Sequence, residues 1–260
     1  MRTQSDESIQ PREILPLFYK KPSLLRFETH NGKAFCPVTD YAFTAASNAV
    51  PLNIGEFTMA QRHYPIVFAA GENPAPLAIL GLKQGQNLFV EPNGQWRENA
   101  YIPAYVRRYP FITIEVPDTD ARMLGIDEAS ECFLELGSNA KAQPFFDDNR
   151  APTPPARHAM AFCDAYHQDH LRTRAFVEAL TAQNLLVSRN ADMTFPDASR
   201  YRLEGFLTVD PDRVKALPAE TLALWEGNGW LAAIHLHVAS MQNWMPLLNL
   251  NAAQPRQAAA

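Results

Sequence analysis

Two adjacent arginines, Arg107 and Arg108, stand within a run of rings formed by Tyr101, Tyr105, Tyr109 and Phe111. A guanidinium is planar and always charged, so it can stack on an aromatic face or grip a carboxylate through two parallel bonds. That combination is the chemistry of anion recognition, and Trp96, beside Arg97, could close the same pocket. Plainer roles compete with it. In a strand, neighbouring side chains point to opposite faces, so at most one arginine would line a given pocket; the other would meet solvent or a structural acid such as Glu56 or Glu115. An indole next to a hairpin turn more often packs across strands. The candidate ligand-binding set is Trp96, Tyr101, Tyr105, Arg107, Arg108, Tyr109 and Phe111.

Other chemistries fare worse. His167-Gln168-Asp169 spells the HxD pair of a two-histidine, one-carboxylate iron site, with His235 or His237 as the distant ligand. The segment has helical spacing, however, which puts residues two apart about 200° apart around the axis. Cys163, His167 and His170 would share a helix face, yet no partner motif accompanies them. Ser138, Ser188 and Ser240 have no GxSxG elbow or neighbouring base, and Gly81, Gly85 and Gly94 form neither GxGxxG nor a Walker loop. Cys36 and Cys132 read as small packed side chains. No catalytic residue, metal or cofactor is assigned, and the residues lean away from an enzyme.

Composition narrows the class. The 260 residues are 47% hydrophobic and 20% charged, enough to build a core without disulfides or metal. Three cysteines without a CxxC spacing give no disulfide framework. A net charge of −5, with no basic excess in either half, argues against nucleic acid as a partner. The amino terminus lacks an apolar signal-peptide core, and no run approaches the roughly 20 apolar residues of a membrane span. These features fit a cytoplasmic chain.

The elements that would position the arginines change in character near residue 150. Before it, YPIVFAAG, PLAILGL, QNLFVEPNGQW and YPFITIEVP read as short strands, with a two-residue Asn93-Gly94 hairpin. Residues 139–155 carry four prolines and predict a long surface loop. Spacing then predicts a long helix over 157–186, whose apolar positions are Phe162, Tyr166, Leu171, Phe176, Val177 and Leu180. Two strands at 185–188 and 200–209 follow, then a short helix after Asp210-Pro211, another from about 218, and a final apolar helix over 231–248. That last helix carries Trp230 and Trp244 but no basic residue, so it suits packing in the domain or against a second copy rather than a membrane surface. The expectation is one mixed α+β domain: a strand-rich part at 12–138, a proline-rich loop at 139–155 and a helix-rich part at 156–250. Whether both parts share a sheet stays open.

Several segments together resemble the SapC family of bacterial proteins: LPLFYKKP at 15–22, SNAVPLNIGEF at 47–57, HYPIVF at 63–68 and LGLKQGQNLFVEPNGQWRENAYIPAYVRRYPF at 80–111. IDEAS at 126–130, RAFVEAL at 174–180 and LEGFLTVD at 203–210 extend the likeness over nearly the whole chain. No catalytic residue transfers with it. The resemblance implies a cell-surface or surface-layer setting, or an accessory role beside TonB-dependent receptors in uptake. Its partner would be a small molecule or a protein. It does not imply the unrelated peptide-transporter permease of the same name, which a chain without membrane spans cannot be.

Overall fold

Short β-branched and aromatic runs ended by proline or glycine produce short strands, and the first half of the chain is built from them. The computed structural model describes residues 15–115, 122–194 and 200–254. In chain order, β1 (Pro22–Leu24), α1 (Phe27–His30), β2 (Lys33–Phe35), β3 (Ala49–Pro51), α2 (Phe57–Ala60), β4 (Ile66–Ala69) and β5 (Pro76–Ile79) precede α3 (Ala104–Arg107). Next come β6 (Phe111–Glu115), β7 (Arg122–Asp127), β8 (Phe133–Glu135), β9 (Gln143–Pro144) and the long α4 (Pro154–Ala182). The chain continues through β10 (Leu186–Thr194), β11 (Arg200–Val209), α5 (Pro211–Lys215), α6 (Ala219–Gly227), α7 (Trp230–Ser240) and α8 (Trp244–Ala252). The amino-terminal residues that argue against a signal peptide lie largely outside the described residues.

The fold is mixed α+β, with three antiparallel sheets ordered β1-β7-β6, β8-β2-β9 and β10-β11-β4-β5-β3. The last of these answers the question left open by the sequence. Phe206 pairs with Ala69 and Leu207 with Phe68, so β11 from the second half extends the sheet of the first.

The arginine segment takes the helical alternative to a strand: Pro103 stands at the N-cap of the single turn α3, and the chain enters β6 at Phe111, within the strand expected for YPFITIEVP. Three local expectations are corrected. The expected two-residue Asn93-Gly94 hairpin is a five-residue Glu91–Gln95 loop closed by a single bridge between Val90 and Trp96. Gly94 takes φ +78°, and a Cβ there would lie 2.2 Å from Asp40 Oδ1. The proline-rich 139–155 segment is packed: β9 pairs with β2, and Phe145 is fully buried and stacked on Phe35 at 5.1 Å. Burial of that ring outweighs the turn-forming composition. The 231–248 helix is interrupted between α7 and α8 by the Met241–Asn243 3₁₀ turn, where Asn243 Nδ2 donates to the carbonyls of Gln61 and Tyr64.

Helix α4 joins two cores. Thr153 caps it, Pro154 occupies its first turn, and its 29 residues extend about 43 Å. Cys163, in its first half, packs in a cluster with Phe35, Phe111, Leu124, Ile126 and Phe145. Phe176, Val177 and Leu180, nearer its end, join Phe57 and Phe68 in the larger core. Leu171, counted on the apolar face by spacing, is 36% exposed. Gly55 faces the helix, and a Cβ there would fall 2.6 Å from Asp169 Oδ2, so that carboxylate would have to move aside. Around that contact Ile54 N–H donates to Thr173 Oγ1 (2.8 Å) and Asn53 Nδ2 to the Tyr166 carbonyl (3.3 Å).

Helix α7 covers the seam between β4 and β11. Val209 N–H donates to His237 Nε2 (3.1 Å), and Ile66 N–H donates to Ser240 Oγ (2.9 Å). Burial lowers the His237 pKa to about 4, so the ring is neutral in the folded chain. The unfolded chain therefore binds the extra proton between about pH 6.5 and 4, and stability falls as pH drops through that window. Moving from about pH 7.5 to 5.2 is expected to remove about 1–2 kcal/mol through this residue. Urea unfolding of wild type and His237→Gln at both pH values checks it: equal pH slopes in the two proteins would exclude the histidine as the cause.

Candidate functional site

The segment from Tyr101 to Phe111 holds its two arginines differently. Arg107 is exposed and bound locally: its Nε donates to the Ile102 carbonyl (2.9 Å) and its Nη2 to Tyr101 Oη (3.1 Å). Its guanidinium carbon also lies over the rings of Phe162 (5.2 Å) and Tyr101 (5.6 Å). Tyr101 in turn donates to Glu56 Oε1 (3.1 Å). Glu56, one of the two acids expected to balance an arginine, is thus reached through a phenol rather than directly.

Glu56 is itself a junction. Its Oε1 accepts from Ala104 N–H (2.6 Å), at the start of α3, and its Oε2 from Asn53 N–H (2.8 Å). Burial pushes its pKa up, against the opposing pull of these donors. The Tyr101 phenol is pushed up to about 12, chiefly by burial and then by the Glu56 charge.

Arg108 follows α3 and points into a nest of phenols. Its guanidinium carbon lies 4.3 Å from the ring centre of Tyr105, 4.5 Å from Tyr166 and 5.6 Å from Tyr19. Its Nε is buried without a hydrogen-bond partner, and no carboxylate bridges it among the described residues. The phenols hold its pKa above the ordinary arginine value despite burial, so the group keeps its charge. Those rings have raised pKa values, mainly through burial, and are neutral at physiological pH.

This cation sits where two hollows meet. The larger, about 840 Å³, is lined by Arg108, Tyr105, Tyr166, His170 and Val177 and by Pro51, Leu52 and residues 72–76, among others. The smaller, about 490 Å³, is lined by Arg107, Arg108, Tyr109, Phe111, Phe162 and His158, among others. The described wall of both includes α4.

Five of the seven sequence candidates therefore line a cavity: Tyr105 and Arg108 the larger, and Arg107, Arg108, Tyr109 and Phe111 the smaller. Tyr109 also has a structural duty, since its hydroxyl donates to buried Asp127 (3.2 Å) and its ring stacks on Phe43 at 4.3 Å. Phe111 packs edge-on against Phe35 at 4.9 Å. Trp96 belongs to neither hollow; it is a core residue whose Nε1 donates to Tyr64 Oη (3.2 Å). Tyr101 likewise lines neither and serves the Glu56 junction.

Sequence reasoning missed Tyr19 as a partner of Arg108 and placed Tyr166 only on a helix face. Tyr166 and His170 stand four apart on α4, a spacing that aligns them on one side, and both line the larger cavity. The HxD residues do lie in α4 and diverge: His167 Nε2 meets Arg122 Nη1, whereas Asp169 pairs with Arg172 (2.9 Å) beside Gly55. His235 is exposed and His237 is taken up by Val209. Burial raises the Cys163 thiol to about 12, far from a reactive thiolate.

Fold and cavities together describe a mixed α+β protein with an unpaired cation between two hollows, and no helix among the described residues is long and apolar enough to cross a membrane. A family model described as SapC matches residues 25–247, and the chain belongs to the SapC family. No curated protein and no solved structure matches it.

The Glu56 junction carries a stability prediction. Glu56→Ala leaves two backbone donors and a phenol without their acceptor in a buried position and should cost about 2–4 kcal/mol. Glu56→Gln, which keeps one acceptor oxygen, should cost less. Chemical denaturation measures both, and an alanine variant as stable as wild type would remove the junction from the account of how α3 is held.

Proposed function

We propose that this SapC-family chain is a non-catalytic accessory binding protein whose ligand is a small anion held by Arg108 in the larger cavity. The observation that carries the reading is the Arg108 guanidinium itself: charged, wrapped by three rings, without a carboxylate against it among the described residues, and lining a hollow of small-molecule size. A largely buried charge left without an opposite charge is costly, and an incoming anion would supply that charge. Aromatic contacts offset part of that cost and leave the donor edge of the guanidinium directed by the rings.

The paired arginines separate this reading from a structural one. Arg107 already has acceptors in Ile102 and Tyr101, whereas Arg108 has its Nε unpartnered and no carboxylate against it among the described residues. Protein purified from cell extract is expected to retain an anionic small molecule in wild type and Arg107→Ala, and to lose it in Arg108→Ala. The lost contact corresponds to about 2–5 kcal/mol of binding. Mass spectrometry of the released compounds, alongside circular dichroism to confirm folding, checks this. Equal retention by a folded Arg108→Ala protein would defeat the assignment.

A further inference from the structure

The charges around the larger cavity restrict what kind of anion would fit. Arg174 Nε lies 3.3 Å from Glu178 Oε1, and both side chains are largely exposed, so these two lining charges offset each other at the rim. Glu72 is exposed on the turn between β4 and β5. His167 Nε2 faces the Arg122 guanidinium. Burial first, and then neighbouring cations, hold His170 below the ordinary histidine range, which leaves it neutral at physiological pH. Among the described lining residues, Arg108 is the arginine with no carboxylate against it.

Two polar side chains of the walls are engaged by the protein itself. Thr173 Oγ1 accepts from Ile54 N–H (2.8 Å) and donates to the Asp169 carbonyl (2.7 Å), and Asn53 Nδ2 donates to the Tyr166 carbonyl (3.3 Å). Pro16, Pro51, Leu52, Ile112 and Val177 supply an apolar surface around them. A phosphate dianion or a nucleotide is best held by more than one cation, and the second lining arginine, Arg174, stands at the exposed rim in its pair with Glu178. A single carboxylate needs one guanidinium face, and an attached hydrocarbon would bury against the prolines and aliphatic side chains.

Resting on the reading of Arg108 as the ligand's cation, we infer that the ligand class is a monocarboxylate with an extended apolar body. The carboxylate meets the Arg108 guanidinium, and the body lies along α4 between Val177 and Leu52. The hollow, about 840 Å³, has room for a chain well beyond acetate.

Isothermal titration of the full chain with butanoate, hexanoate, octanoate and decanoate tests this, with octanamide, inorganic phosphate and adenosine monophosphate as contrasts. Affinity is expected to rise about three- to fourfold per added methylene over the series. Octanamide should bind at least about tenfold more weakly than octanoate, and phosphate and the nucleotide should show no binding. Arg108→Met, which keeps an apolar stem, should reduce octanoate to the octanamide level. Because the contrast between octanoate and octanamide is made on wild type, it stands even if that variant fails to fold. Tighter binding of phosphate or nucleotide than octanoate, lost in Arg108→Met, would overturn the monocarboxylate class and leave the anion site. Equal binding of octanoate and octanamide would overturn both readings, as would silence from every probe.

Discussion

A guanidinium enclosed by phenol rings, with no carboxylate to answer it, is the constraint around which the middle of this molecule is arranged. Arg108 is kept charged by the π faces and hydroxyls of Tyr19, Tyr105 and Tyr166. Each ring comes from a different part of the chain: the segment before β1, the α3 turn and α4. Holding them together involves the seat of α4 beside Gly55 and the capping of α3 by Glu56. The local architecture can thus be traced outward from one charge.

The neighbouring arginine shows why residue type alone does not assign a role. Arg107 and Arg108 have the same chemistry and adjacent positions, yet one turn of helix sends them to different surroundings. Arg107 is absorbed by the Tyr101–Glu56 relay, and Arg108 is not. In a strand the two would have pointed to opposite faces of a sheet; the helical turn gives a smaller divergence, and so both reach the smaller hollow.

Much of the fold was legible because its signals are local. The body of α4, the Asp210-Pro211 start of α5 and the strand at 200–209 follow from helical spacing, capping and β propensity, whereas α4 begins at Pro154, inside the segment whose prolines suggest a loop, and β10 runs on to Thr194, past the expected 185–188. What was not legible depended on contacts distant in the chain. Phe145 turns a proline-rich segment into core only because Phe35 and Phe133 are there to meet it. Trp96 looked like a pocket wall from its neighbours in sequence, and Tyr64, 32 residues away, makes it interior instead. Tyr19 and Tyr166 lie 89 and 58 residues from Arg108, so no spacing rule within the arginine segment could have drawn them in.

The pairing of β11 with β4 has a consequence for how this chain tolerates being divided. Composition changes near residue 150 and invites a cut there, but such a fragment would lose the strand lying against β4, and with it α4 and α7. Ile66, Val67 and Phe68 would then form an apolar open edge, ready to recruit the corresponding segment of another molecule. The apparent boundary is a change of building material on two sides of one shared sheet.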